Sequence, residues 1–273
     1  MKTAVVQMRV GDDKLENVRR ACAFVTQAAQ GGADVVVLPE MFNCPYQTKN
    51  FPVYAEPAGG ECWNMLSAAA RENAVYLIAG SMPECDEAGR VYNTSFVFDR
   101  AGMQIARHRK AHLFDIDVPG GQRFKESETL TAGNEITTFD TEFGRMGLLV
   151  CYDFRFAEMS RVMANRGAKV IFVPAAFNMT TGPAHWELLF RCRAQDYQVF
   201  TVGAAPARDV HGCYVSYANS IVVSPWGEMR LRLGTDEQIG LYDIDLAEVD
   251  RVRTEFPLRN HYKPGLYEAQ SRV

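Results

Sequence analysis

Short apolar runs without polar interruption recur along this chain, and helix-period patterns stand between them. The run after Asp34 (Val35 to Leu38), Val75 to Gly80, Met146 to Val150 and Lys169 to Val173 all read this way. A strand with one wet face alternates polar and apolar residues, whereas a strand apolar throughout is buried on both faces. The chain therefore predicts covered sheets. Leu15, Val18, Cys22, Val25 and Ala29 recur at three-and-four spacing behind the helix-start residues Asp12 and Asp13, and Gly31-Gly32 end that helix. Glu61 to Asn73 predicts a second helix. Val91 to Phe98 and Met103 to His108 alternate around Arg100-Ala-Gly102, a hairpin signal.

The second half repeats the order. Arg145 to Val150 reads as strand, Glu158 to Arg166 as helix and Lys169 to Val173 as strand. Thr181-Gly-Pro183 opens a helix running to Tyr197, and Gln198 to Gly203 is strand. Asn219 to Val223 and Met229 to Leu233 form a hairpin around Ser224-Pro-Trp-Gly227, and Gly240 to Ile244 adds a strand. No Pro/Gly/Ser linker separates the halves. The expectation is one α/β domain over residues 1–273, with its core over about 2–255. Two similar sheets, each covered by helices on one face, would pack their bare faces together. Residues 256–273 read as a docking tail. Ala111 to Asn134 is a long connection, but His112-Leu-Phe-Asp-Ile-Asp117 is too apolar for disorder, so an ordered site loop is expected.

Composition narrows the function classes. A net charge of -4 argues against a nucleic-acid or membrane-surface partner held by charge. No apolar run approaches the roughly 20 residues of a membrane span. The seven cysteines are odd in number and scattered, with no C-x-x-C. That suits neither a disulfide framework nor a zinc site, and it fits a reducing cytoplasm. Met1-Lys-Thr3 runs straight into a strand, so no signal peptide is expected.

Glu40, Lys110 and Cys151 each follow a predicted strand. Each has an ordinary reading: a surface carboxylate, a member of the cluster Arg107-His-Arg-Lys110, a buried core thiol. Context weighs the other way. Pro39-Glu40-Met-Phe42 follows a wholly apolar strand, and Lys110 leads into the apolar loop. Cys151 stands between a strand end and a helix start, where ligand groups collect in α/β proteins and a helix N-terminus favours the thiolate.

Leu38-Pro-Glu40, Arg109-Lys-Ala-His-Leu-Phe114 and Val150-Cys-Tyr-Asp-Phe-Arg-Phe156 resemble the nitrilase superfamily of carbon–nitrogen hydrolases, from Lys2 to about Tyr267. Within it, Lys110 to Gly120, Phe124-Lys-Glu-Ser127, Ala176 to Leu189 and Ala205-Pro-Ala-Arg208 resemble the ω-amidase branch. The resemblance implies a four-layer α-β-β-α sandwich with two mixed sheets and a Glu-Lys-Cys triad at Glu40, Lys110 and Cys151. It also implies a second glutamate at Glu126, an oxyanion contact from the backbone of Tyr152, and a homodimer. No cofactor or metal is implied. The substrates implied are small 2-oxo acid amides, 2-oxoglutaramate and 2-oxosuccinamate, with a relative acting on deaminated glutathione as the alternative. Phe114-Asp-Ile-Asp117 and Phe177-Asn-Met-Thr180 favour the former.

Amide hydrolysis explains why these residue types belong together. A thiol attacks, ammonia leaves, and water cleaves the thioester, which splits one hard step into two. An ordinary Glu is about 4 units less basic than an ordinary thiolate, a deficit of about 6 kcal/mol. The site has to close that gap, and Lys110 beside Cys151 is expected to favour the thiolate. A substrate carboxylate calls for a cation. Arg155 is the nearest arginine in sequence, unless it pairs with Asp153 or Glu158. Tyr46, Phe114, Phe177 and Thr180 are the candidate pocket wall. A Cys-His reading through His112 or His185 leaves Glu40 and Lys110 unexplained, and His185 has a sufficient role as a helix cap. His108 and His112 lack the carboxylate-histidine set of a metal site. A turnover-free binding module is disfavoured by the intact triad.

Overall fold

The computed structural model describes residues 1–268. The first half runs β1 (Lys2–Gln7), α1 (Lys14–Gln30), β2 (Val35–Val37), α2 (Phe51–Tyr54), α3 (Glu61–Asn73), β3 (Tyr76–Ile78), β4 (Met82–Cys85), β5 (Val91–Phe98) and β6 (Gln104–Arg109). Asp13 caps α1 by accepting from the Glu16 N–H, and Gly31 closes it. The connection after β6 holds β7 (Asp115–Asp117) and β8 (Arg123–Lys125), an isolated antiparallel ribbon. The second half runs β9 (Thr137–Thr141), β10 (Gly144–Leu148), α4 (Ala157–Asn165), β11 (Val170–Pro174), α5 (Gly182–Tyr197), β12 (Phe200–Ala204), β13 (Ile221–Val223), β14 (Met229–Arg232) and β15 (Gln238–Asp243). Helices α6 (Ala247–Glu255), α7 (Leu258–His261) and α8 (Gly265–Glu268) follow.

Both sheets are mixed. The first has the order β15-β1-β2-β3-β5-β4 with β6 on β5, and the second β14-β13-β12-β11-β10-β9. The apolar strands β1, β2 and β3 pair in parallel at the centre of one, and β10, β11 and β12 at the centre of the other. Alternate side chains of one strand serve two cores. Val36 and Leu38 pack with Val18, Val25 and Leu66 beneath α1 and α3. Val35 and Val37 pack with Val170, Phe172 and Val202 of the other sheet. Ile171 and Val173 pack with Met163, Trp186 and Phe190 under α4 and α5. The layers are therefore helix, sheet, sheet, helix.

One point of topology goes beyond the doubled pattern. The strand after the second hairpin does not extend the second sheet: β15 crosses over and pairs antiparallel with β1, from Lys2↔Asp243 to Gln7↔Gln238. The halves are thus laced together at an edge rather than merely repeated. The long connection is ordered as expected, but it contains a ribbon. Short strands β4 and β9 add edges that lacked an apolar signal. At the start of that expected tail, Gln198 Nε2 donates to the Phe256 carbonyl and the Trp226 and Phe256 rings lie 6.1 Å apart. Residues 269–273 of that expected tail lie outside the described residues.

Candidate active site

Central strands of the two sheets deliver Glu40 and Cys151. Past β2 the chain turns at Pro39-Glu40 and is bolted to the exit of β3: Ser81 N–H donates to the Pro39 carbonyl, and Met41 N–H to Ser81 Oγ. The approach is so close that a Cβ on Gly80 would lie 2.2 Å from that carbonyl, and its φ of +54° also requires glycine. Past β10, Cys151 takes φ 46°, a left-handed backbone that is costly for a side-chain-bearing residue. It opens a single 3-10 turn, Cys151–Arg155, and α4 begins only at Ala157. Lys110 leaves β6 with its N–H on the Asn93 carbonyl and its carbonyl taking the Gly133 N–H, each at 2.8 Å.

These ends meet in a buried ionic cluster. Glu40, Lys110 and Glu126 are fully buried, and Cys151 is 6% exposed. Lys110 Nζ lies 2.9 Å from Glu40 Oε1 and 2.9 Å from both oxygens of Glu126. Glu126 Oε2 also accepts the Phe114 N–H at 2.7 Å. The Tyr46 hydroxyl stands 3.0 Å from Glu40 Oε1 and 2.7 Å from Glu126 Oε1. Asn93 Nδ2 donates to Glu40 Oε1 at 2.8 Å. Glu40 Oε1 is thus surrounded by donors, while its buried Oε2 has no partner among the described residues. Glu126 differs, with both oxygens occupied.

The charges follow from this packing. Burial disfavours the Lys110 ammonium, but Glu126 and Glu40 outweigh it and hold the amine protonated well above the usual lysine range. Burial and the Glu40 charge push the Cys151 thiol up, and Lys110 only partly offsets them. The pull of Lys110 toward the thiolate, expected from sequence, is thus outweighed by burial and the Glu40 charge, which favour the thiol. Burial, with Glu40 adding to it, also raises Glu126 against the pull of Lys110.

Arg155 does not pair with Asp153 or Glu158. Its Nη1 contacts His185 Nδ1 at 3.0 Å, its Nε is buried without a partner, and its guanidinium lies 4.8 Å from the Phe177 ring centre and 5.6 Å from that of Tyr152. Burial lowers its pKa, and Cys151 is the first group whose charge would offset that, so the guanidinium stands within electrostatic reach of the thiol. His185 is no helix cap; the Thr181 N–H at the start of α5 is taken by Asn178 Oδ1 instead. Asp153 goes elsewhere too. It accepts from His108 Nε2 at 2.9 Å, His112 Nδ1 at 2.8 Å, and the backbone N–H of Ala111, His112 and Val150.

The remaining candidates divide. Tyr46 is wired to both carboxylates rather than merely lining a wall. Phe114 and Tyr152 rings pack 5.1 Å apart beside the cluster, and Phe177 packs on Trp186 beneath Arg155. Thr180 is exposed and lies under the ribbon tip, where a Gly121 Cβ would be 2.8 Å from its methyl. A cleft from the surface reaches Glu40 between Met41, Tyr46, Ala176 and Tyr214. Asn93 and Tyr214 were not singled out by sequence, and Asp153 only as a partner for Arg155. A signal existed for Asn93, which opens the polar run Asn93-Thr-Ser95 between the apolar ends of β5, where buried polar groups need partners.

Residues 2–254 match the carbon–nitrogen hydrolase family, and the chain belongs to it. Mouse omega-amidase NIT2 is 47% identical over 271 residues, covering 99% of this chain and 98% of the relative. Human omega-amidase NIT2 is 48% identical over the same span. Among solved structures, yeast Nit3 of the nitrilase superfamily superposes with a TM-score of 0.88 at 38% identity, covering 94% of each chain.

Proposed function

We propose that this protein is an ω-amidase that hydrolyses the terminal amide of small 2-oxo dicarboxylic acid monoamides to the 2-oxo diacid and ammonia. One observation carries the mechanism: Glu40 Oε1 is saturated by donors while Oε2 stands free, on a carboxylate whose charge bears on the Cys151 thiol. Glu40 Oε2 takes the thiol proton as sulfur attacks the amide carbon, since burial and the Glu40 charge favour the thiol. The proton passes to the departing ammonia. Water then gives its proton to Glu40 and cleaves the thioester. Lys110, with the Tyr152 N–H, stabilises the tetrahedral oxyanion, a contribution of about 3 kcal/mol for one good donor. Glu126 shares the Lys110 ammonium and holds it in place. The half-buried guanidinium of Arg155, which has no carboxylate partner among the described contacts, receives the substrate carboxylate.

The omega-amidase relatives support the choice of substrate. We extend the proposal to a homodimer in the cytoplasm. Exposed Leu188 and Trp226 flank one surface hollow beside Phe256, and all seven thiols are free.

The test is ammonia and 2-oxo acid release from 2-oxoglutaramate by wild type, Cys151→Ala and Glu40→Gln, with deaminated glutathione and glutamine as competitors. Turnover should vanish in Cys151→Ala and fall about 10²–10⁴-fold in Glu40→Gln. An acyl adduct should appear on Cys151 by mass. Preference for deaminated glutathione would keep the chemistry and overturn the substrate.

A further inference from the structure

Cys44 and Cys213 have no part in the chemistry above, yet both line the cleft that reaches Glu40. They come from turns far apart in sequence that the fold lays side by side. Two residues after Cys44, the Tyr46 ring packs at a tilt against the ring of Tyr214, centroids 4.6 Å apart, and Tyr214 directly follows Cys213. The Tyr214 hydroxyl bonds to the Ala176 carbonyl, which fixes the far wall of the cleft. Cys44 is buried, and its thiol makes only a long contact of 3.5 Å with the Pro45 carbonyl. Cys213 is exposed in the irregular stretch Val210-His-Gly-Cys213.

We propose that Cys44 and Cys213 are a thiol pair that closes to a reversible disulfide across the mouth of the cleft and shuts off the active site. The bond would strap the exposed 210–213 segment to the 41–46 turn beside Glu40. Order of reaction follows from access. A small disulfide such as oxidised glutathione reaches Cys213 first. The Cys213 thiolate attacks one sulfur, the S–S bond breaks, and one thiolate leaves. The Cys44 thiolate then attacks the Cys213 sulfur and expels the second. Two protein thiols and one small disulfide become one protein disulfide and two small thiols. Reduced thiols run the exchange backwards.

The electrostatics agree with a close pair. Burial raises the Cys44 thiol first, and Cys213 is the next contributor. Burial, then Asp12, raise Cys213. Little thiolate exists near neutral pH, so closure is slow there and quickens as pH rises. That suits a response to sustained oxidation rather than a fast sensor.

The regulatory half of this inference rests on the amidase reading; the bond itself does not. Reduced protein is incubated with oxidised glutathione, then split between tryptic mass mapping and the 2-oxoglutaramate assay, for wild type, Cys44→Ser and Cys213→Ser. Wild type should yield a Cys44–Cys213 linked peptide and lose about tenfold or more in rate, recovering with dithiothreitol. Each serine variant should keep its own reduced rate within about twofold. Absence of the linked peptide overturns the pair. A linked peptide with undiminished rate overturns closure. Equal inactivation of the serine variants traces the loss to Cys151 and also overturns it. If no form shows turnover, the peptide map still decides the bond while the amidase reading fails separately.

Discussion

The Tyr46 hydroxyl lies 2.7 Å from Glu126 Oε1 while also standing 3.0 Å from Glu40 Oε1. One hydroxyl proton therefore serves two buried carboxylates whose only cation is Lys110 among the described contacts. Hydrogen bonds to an ionised carboxylate favour the charged form.

Tyr46→Phe removes that donor. Glu126 then holds its proton more tightly, so the acidic limb of the kcat/KM profile should move to higher pH. The burial shift already raises Glu126, and the variant moves it further the same way. Leaving buried acceptors short of a donor should also cost about 1–3 kcal/mol of stability. A pH–rate profile beside a urea melt checks both, and an unmoved or downshifted limb contradicts the assignment.

Lys110→Met strands two carboxylates in the core. Breaking a buried ion pair from one side costs about 3–5 kcal/mol. Adding Glu126→Gln removes one of the uncompensated charges, so the double variant should recover stability over Lys110→Met while remaining inactive. Recovery of turnover would show that the ammonium is dispensable.

Asp153→Asn should loosen both catalytic elements, because Asp153 accepts N–H bonds from Ala111 and His112, just past Lys110, and from Val150, just before Cys151. Burial raises its pKa, but the His108 and His112 contacts dominate and hold it below the usual carboxylate range. A depressed folded pKa gives stability that is present above the unfolded value, about 3.9, and lost as pH falls toward the folded one. The stability gap between wild type and Asp153→Asn should thus be full at neutral pH and narrow below about pH 4. Urea midpoints across that range read it directly.

Arg155→Met tests the carboxylate pocket. KM for 2-oxoglutaramate should rise about 30-fold or more, the equivalent of 2 kcal/mol or more for truncating one member of a buried charge pair. Turnover of a small amide without a carboxylate should change little. Equal losses on both substrates would mean that Arg155 serves structure alone.

The layered fold was legible because unbroken apolar strands can only be buried on two faces. The strand ends at Glu40 and Cys151 were legible because charge or sulfur beside such strands is out of place, and Lys110 because it leads from a charged run into an apolar loop. β4 and β9 were not. Met82-Pro-Glu-Cys85 carries a proline and a carboxylate, and Thr137–Thr141 is mostly polar, so neither has the signature of a strand held by its neighbour. Arg155 and Asp153 stand two residues apart with opposite charge, and sequence proximity suggested a pair; packing sends one to His185 and the other to His108 and His112.

The sequence by itself determined the doubled strand–helix order, the four-layer class and the residues that crowd the strand ends, since periodicity and burial are local properties of the chain. Only the tertiary structure decided that β15 returns to the first sheet, that the donors crowd Glu40 Oε1 and leave Oε2 without one, that burial and Glu40 push the Cys151 thiol up, and that Cys44 and Cys213 line one cleft. Each of these depends on ångström-scale distances between groups far apart in sequence, and on a low-dielectric interior that exists only once both sheets have closed on each other.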